Sequence, residues 1–183
     1  MRIAIAGASG TGKTTLANAI AERYSLPINP VGARSVAKSM GFDNPYDVDK
    51  AGKRVEFQRR LFEQKRDWEF ANDRFVTDRT YLDNLTYCAL HMAEHLPDDA
   101  VEEFIEATSR YDLILVLFRK DFQQLDDGIR KTNQTYHSIY ERILGSLLSD
   151  VRRTFPLYKT PLQFRQQEAF TVIDMLDMGT LKL

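Results

Sequence analysis

The sequence predicts an α/β fold in which a parallel sheet carries helices on both faces. Three observations predict it. Asp112-Leu113-Ile114-Leu115-Val116-Leu117-Phe118 holds an unbroken apolar run, the pattern of a strand buried on both sides. Short apolar runs alternate with longer stretches of helical periodicity along the chain. The first strand and the first helix are joined by a glycine-rich turn, Gly7-Ala8-Ser9-Gly10-Thr11-Gly12-Lys13-Thr14.

That turn fits G-x-x-x-x-G-K-[ST] at every fixed position. Arg2-Ile3-Ala4-Ile5-Ala6 before it reads as a buried strand. Residues 15–23 after it read as an amphipathic helix, with apolar side chains at Leu16, Ala19 and Ile20. Glycines let the backbone curl so that successive N–H groups face an anion, and the helix adds its positive N-terminal end. Residues 7–15 (Gly7 to Thr14, with Thr15) are therefore the expected cradle for nucleotide phosphates. Lys13 is expected to reach the outer phosphates and Thr14 to hold Mg²⁺. A dinucleotide-binding turn is excluded, since the glycines run G-x-x-G-x-G and leave the Lys-Thr pair without a role.

Ser25-Leu26-Pro27-Ile28-Asn29-Pro30-Val31 follows as a short second strand between prolines. Residues 32–41 read as a short helix stopped by Gly41, and residues 42–49 as a turn-rich loop. Residues 50–71 read as one long helix with Phe57, Leu61 and Trp68 on a stripe. It is basic, with Lys50, Lys53, Arg54, Arg59, Arg60, Lys65 and Arg66. Glu56 and Glu63 stand at pairing distance, so the cations are either a solvated, ion-paired face or an anion-gripping wall. Arg54 and Arg59 are its candidate substrate contacts.

Phe75-Val76-Thr77 reads as a strand that delivers Asp78 to the carboxyl edge of the sheet, where ligands of open parallel sheets collect. A carboxylate there suits the Mg²⁺ shell or proton removal from an attacking hydroxyl, and Arg79 suits a phosphate or sugar oxygen. Residues 80–96 read as a helix with Tyr81, Leu85, Cys88 and Met92 inward. Asp83 either faces the site or favours the helix N-terminus. His91-Met92-Ala93-Glu94-His95 matches a zinc-protease pattern, but Pro97 ends the helix at once, so the match is read as a decoy. A further helix is expected over 98–109. After the strand at 112–118, the polar stretch 119–133 reads as a lid, with Arg130 and Lys131 placed to neutralise a phosphoryl group in transfer. A helix over 134–149, an edge strand at 158–162 and a helix over 165–178 complete the chain; Phe170-Thr171-Val172-Ile173 could instead be a strand.

The 183 residues suffice for one α/β domain, and no repeat or linker divides them. A net charge of −1 weighs against a broad nucleic-acid or membrane footprint. With Cys88 the single cysteine, no intrachain disulfide forms and a reducing cytoplasm is expected. No leader sequence is read before the first strand, and no apolar run approaches the ~18 residues of a membrane span.

The combination narrows the chemistry. A regulatory GTPase would carry an Asn-Lys-x-Asp base-reading motif, which is missing here. A motor-type ATPase usually carries two adjacent acids where Asp78-Arg79 stand. What remains is a small kinase. Asp78-Arg79 resembles the Asp/Glu-Arg signature of thymidylate and deoxynucleoside kinases. The wider pattern is similar to the ribosylnicotinamide-kinase-like AAA ATPase and kinase group, with its phage and bacterial relatives. It is carried by Gly7 to Thr15, Ala33-Arg34, Val76-Thr77-Asp78-Arg79-Thr80 with Asp83-Asn84, and Asp126-Asp127-Gly128-Ile129-Arg130. The resemblance implies a three-layer phosphate-loop kinase fold over residues 1–183, with a five-stranded parallel sheet in the order 2-3-1-4-5. It also implies ATP and Mg²⁺ as cofactors and γ-phosphoryl transfer to a nucleoside or nucleotide. Such kinases often place an acid after the second strand, where this chain has Asn29-Pro30-Val31-Gly32. That favours an acceptor that is already anionic, a nucleoside monophosphate, with Arg34, Arg54 and Arg79 as grips. Three alternatives remain at this level: a kinase of a modified base in DNA, a ribosylnicotinamide-type kinase, and an ATP-binding switch without catalysis. A homodimer is left open.

Overall fold

The computed structural model describes residues 1–118, 133–157 and 160–181. Its sheet is parallel throughout, in the order β2-β1-β3-β4, where β1 is Arg2–Gly7, β2 Phe75–Asp78, β3 Leu113–Leu117 and β4 Thr154–Pro156. The expected order is kept, with both outer strands altered. Ile28 makes an isolated parallel bridge to Val76, through Asn29 N–H to the Val76 carbonyl and Val76 N–H to the Pro27 carbonyl. Pro27 and Pro30 lack the N–H that a longer ladder needs. The outer strand beside β3 lies at 154–156 instead of 158–162; Tyr158 and Lys159 lie outside the described residues.

The helices are α1 (Lys13–Tyr24), α2 (Ala33–Ser39), α3 (Pro45–Lys50), α4 (Arg54–Phe70), α5 (Tyr81–His91), α6 (Ala100–Thr108), α7 (Gln134–Leu148) and α8 (Arg165–Asp177). Three differ from the sequence reading. Helix α5 stops at His91, short of the expected residue 96, and Ala93–His95 form a separate 3-10 turn. The turn-rich loop holds α3, started by Asn44, whose side chain accepts from the Tyr46 and Asp47 amides, and by Pro45 at the first helical position. The long helix begins at Arg54 because Gly52 takes φ 69° and breaks the run. The segment 170–173 is helical, within α8. Among the described residues, no helix is long and apolar enough to cross a membrane.

Strand alternation splits the core in two. Ala4, Ala6, Ile114 and Val116 face α4, α5, α6 and α7, packing on Phe62, Tyr81, Leu85, Phe104 and Leu144. Ile3, Ile5, Leu113, Leu115 and Leu117 face α1 and α8, packing on Leu16, Ile20, Ala169 and Ile173. Tyr81, Leu85, Cys88 and Met92 are all buried, as their stripe predicts. A smaller cluster of Val36, Val48, Phe57 and Leu61 ties α2 and α3 to α4. Parallel pairing sends the carboxyl ends of β1, β2 and β3 to one edge.

Candidate active site

The turn after β1 is shaped by steric necessity. Gly7 has φ 141°, and a Cβ there would lie 2.1 Å from the Leu117 carbonyl oxygen, so β3 passes too close for any side chain. Gly12 takes φ 83° and leads into α1. The buried Thr11 hydroxyl donates to the Ala8 carbonyl at 3.0 Å. Lys13 is only 5% exposed, and its ammonium donates to the same carbonyl at 2.6 Å and to Thr11 Oγ1 at 3.4 Å. Ser9 and Gly10 are half-buried, while Thr14 and Thr15 are exposed in the first helical turn. No side chain caps α1 and its first turn holds no acid. Its leading amides and positive end therefore remain for an outside anion.

Register brings β2 to this turn. Ile5 pairs with Asp78, so the carboxylate lies beside the start of α1. Asp78 Oδ2 accepts from the Thr14 hydroxyl at 2.5 Å, while Oδ1 is buried with no hydrogen-bond partner. An orphaned carboxylate oxygen next to a hydroxyl suits a hard, oxygen-seeking cation. Mg²⁺ needs just one or two protein oxygens when substrate phosphates and water complete its octahedron. Among the described residues, no group of three or more His, Cys, Asp or Glu could hold a metal by itself. His91 ends α5 against Tyr136, and His95 sits in a short 3-10 turn beside Glu94, so the zinc-pattern histidines form no such group.

Arg79 departs from ordinary backbone geometry, with φ 90°. A non-glycine residue there costs about 1–3 kcal/mol and persists only when its surroundings hold it. Its amide donates to the Ile5 carbonyl at 2.9 Å. Its Nη1 reaches Asp83 Oδ1 at 3.2 Å, the Tyr140 hydroxyl at 3.1 Å and the Gly7 carbonyl at 3.4 Å. Burial works to lower the guanidinium pKa, but Tyr140, Asp83 and Asp78 together raise it above its usual value, so the group stays charged. Asp83 lies beneath the site, not on its surface: its side chain is 0% exposed and accepts the Gly7 amide at 3.1 Å.

The remaining sequence candidates divide. Arg54 is held by Asp49 at 2.9 and 3.0 Å and reaches the His91 carbonyl at 3.4 Å. It joins a row along α5: Tyr87 donates to Asp49 at 3.3 Å, its ring lies 4.5 Å from His91, and His91 stacks on Tyr136 at 5.5 Å. Tyr136 lies within electrostatic reach of both Arg79 and Arg54. Periodicity shows Tyr87, His91 and Tyr136 on helices but does not show that they meet. Arg59 is exposed and paired with Glu63, and Arg60 with Glu56, the ion-paired face that spacing allowed. Lys65 leaves that face altogether: it is 2% exposed, salt-bridged to Glu69 at 2.6 Å and bonded to Thr77 at 2.5 Å. Arg34 is exposed at the start of α2. The lid, with Arg130 and Lys131, lies outside the described residues apart from Asn133, which caps α7.

A family model described as an AAA domain matches residues 2–163. The chain belongs to that family. Solved structures show which form of the fold this AAA-domain chain takes. The NadR protein in complex with NR aligns over 100% of this chain and 51% of its own, with TM-score 0.67 and 18% identity. Shikimate kinase from Aquifex aeolicus aligns over 98% of this chain and 99% of its own, with TM-score 0.60 and 15% identity. Deoxyadenosine kinase from M. mycoides with bound dCTP aligns over 95% and 99%, with TM-score 0.61 and 15% identity. The chain thus spans about half the length of the NadR protein. No curated protein sequence matches it. This AAA-domain chain is thus similar in fold to the NadR protein and to two kinases, shikimate kinase and deoxyadenosine kinase.

Proposed function

We propose that this chain is an ATP- and Mg²⁺-dependent kinase that moves the γ-phosphoryl group to a nucleoside or nucleoside monophosphate, with deoxynucleotides favoured. The observation that carries the reading is the meeting of Thr14 and Asp78 at 2.5 Å beside an uncapped helix start. The kinase fold of its structural neighbours supports it.

In this reading the loop of residues 7–15 holds the donor phosphates through the amides after Gly7, whose own N–H is taken by Asp83, and Lys13 swings from the Ala8 carbonyl to the outer ones. Thr14 and Asp78 would hold Mg²⁺, which supplies charge neutralisation at the phosphates. Arg79 orients the acceptor, with Arg34 and Arg54 as further grips. Catalysis is then positioning and charge complementarity, with little covalent chemistry asked of the protein. The acceptor side rests on Asn29. It is buried, with its amide nitrogen bonded to Glu69 and its oxygen accepting the Val31 amide, so the bridge position supplies no free carboxylate as a base. A monophosphate, already anionic, needs none. The row of Tyr87, His91 and Tyr136 gives such an acceptor an aromatic flank. One kinase domain over residues 1–183, acting on a small molecule in the cytoplasm, belongs to the same reading.

The test is incubation with γ-labelled ATP, Mg²⁺ and a panel of nucleosides, nucleoside monophosphates, ribosylnicotinamide and hydroxymethylated DNA. Label on a monophosphate is expected. Label confined to DNA would move the reading to a DNA-base kinase, and ATP binding with no labelled acceptor would replace it with a switch.

A further inference from the structure

We propose that Tyr140, on α7, is a positioning residue of this site: it holds the Arg79 guanidinium, directly and through Asp83, and through Asp83 the first amide of the phosphate loop, in one arrangement. The inference rests on the kinase reading only for its kinetic consequence.

The two oxygens of Asp83 have separate tasks. Oδ2 accepts the Thr80 amide and the Thr80 hydroxyl, both at 2.9 Å, while the Asp83 amide donates to the Thr80 hydroxyl at 3.1 Å. That reciprocal cap completes the start of α5 with residues three apart. Oδ1 serves nothing local to the cap. It gathers the Gly7 amide at 3.1 Å, Arg79 Nη1 at 3.2 Å and the Tyr140 hydroxyl at 3.1 Å, from three separate parts of the chain.

Tyr140 makes the arrangement directional. A phenol has one proton and two lone pairs. Its proton lies within reach of Asp83 Oδ1 and of the Asp83 carbonyl at 3.2 Å, and its oxygen accepts from Arg79 Nη1 at 3.1 Å. Burial raises the Tyr140 pKa far above the usual phenol, and Asp83 raises it further, so the group stays a donor. Packing alone does not call for the hydroxyl, because the ring already sits in the core beside Leu144 and Leu148. The hydroxyl instead fixes one nitrogen of Arg79 at a backbone position with φ 90°. Among the described residues, Arg79 Nε and Nη2 have no hydrogen-bond partner and remain for a substrate anion. A shift of α7 would therefore move both the phosphate loop and Arg79.

Tyr140→Phe keeps the ring and removes only the oxygen. In the full chain, amide NMR should show the Gly7 resonance displaced and its hydrogen exchange about tenfold faster, with the rest of the sheet unchanged. In steady-state kinetics, kcat/KM for the acceptor should fall about tenfold while binding of a non-hydrolysable ATP analogue holds. On an Arg79→Gln background the same change should cost clearly less than in the wild type, since part of its effect runs through Arg79; Arg79→Lys replaces that background if Arg79→Gln unfolds. An unmoved Gly7 amide, a general loss of protection across α7, or additive losses in the two backgrounds would overturn the proposal. A wild-type chain that transfers label to no acceptor would refute the kinase reading alone, and the NMR comparison would still decide the role of Tyr140.

Discussion

Replacing Lys65 by methionine should destabilise the fold far more than any other cation on α4. Lys65 and Glu69 are 2% and 4% exposed and bonded at 2.6 Å, and Glu69 also accepts from Asn29 at 2.9 Å and Tyr111 at 2.8 Å. Breaking a buried ion pair from one side costs about 3–5 kcal/mol, because the other charge stays buried. Two neutral donors remain on Glu69, which places the expected loss near the lower end, about 3 kcal/mol. For a chain of this size that lowers the melting temperature by roughly 6–12 °C. It removes a large share of a total stability of about 5–15 kcal/mol. Thermal and urea melts followed by circular dichroism at pH 7 read the effect, with Arg59→Met as control. That exposed pair should cost no more than about 1 kcal/mol. The double variant Lys65→Met/Glu69→Gln should be more stable than Lys65→Met, because the new amide still accepts from Asn29 or Tyr111 with no buried charge left. Equal losses for Lys65→Met and Arg59→Met, or a double variant worse than the single, would refute the reasoning.

Three further outcomes follow from the geometry. Gly7→Ala places a carbon 2.1 Å from the Leu117 carbonyl at φ 141°, so β1 and β3 must separate and melts should show loss of folded protein. Asp112 gains hydrogen bonds from Arg2 that hold its pKa below the ordinary carboxylate value despite its partial burial. Its contribution is present above the unfolded value and lost as pH falls through the folded one. Asp112→Asn should therefore lower stability at pH 7 and flatten the fall of urea midpoints below about pH 4. Burial pushes the Cys88 thiol up to about 11. A thiol reagent at pH 8 should then modify it only in denaturant, and fast labelling of the native chain would contradict its burial.

The parts of the fold visible in the sequence are those that local chemistry decides. Gly7 to Thr14 specify the loop, and Asp78 follows from a short strand with a polar end. Asn44-Pro45 is a helix-start signal in its own right, and Gly52 a break, yet both lie within a stretch whose charges suggest a loop joined to one long helix. Thr154-Phe155-Pro156 is too short, and too near a proline, to carry a strand pattern. Lys65 with Glu69 has the same i, i+4 spacing as Arg59 with Glu63. Only packing against Thr77 and Tyr111 separates a core pair from a surface one. Tyr140 reads as one more apolar position of α7, because periodicity reports a ring's burial and is silent on what its hydroxyl meets.

Single-turnover transfer from γ-labelled ATP tests the central claim most directly, with wild-type chain and Lys13→Ala matched for folded content. Wild type should label its acceptor, and Lys13→Ala should be slower by about 100-fold or more, the scale for losing one aligned charge donor. Equal transfer by both would contradict the account.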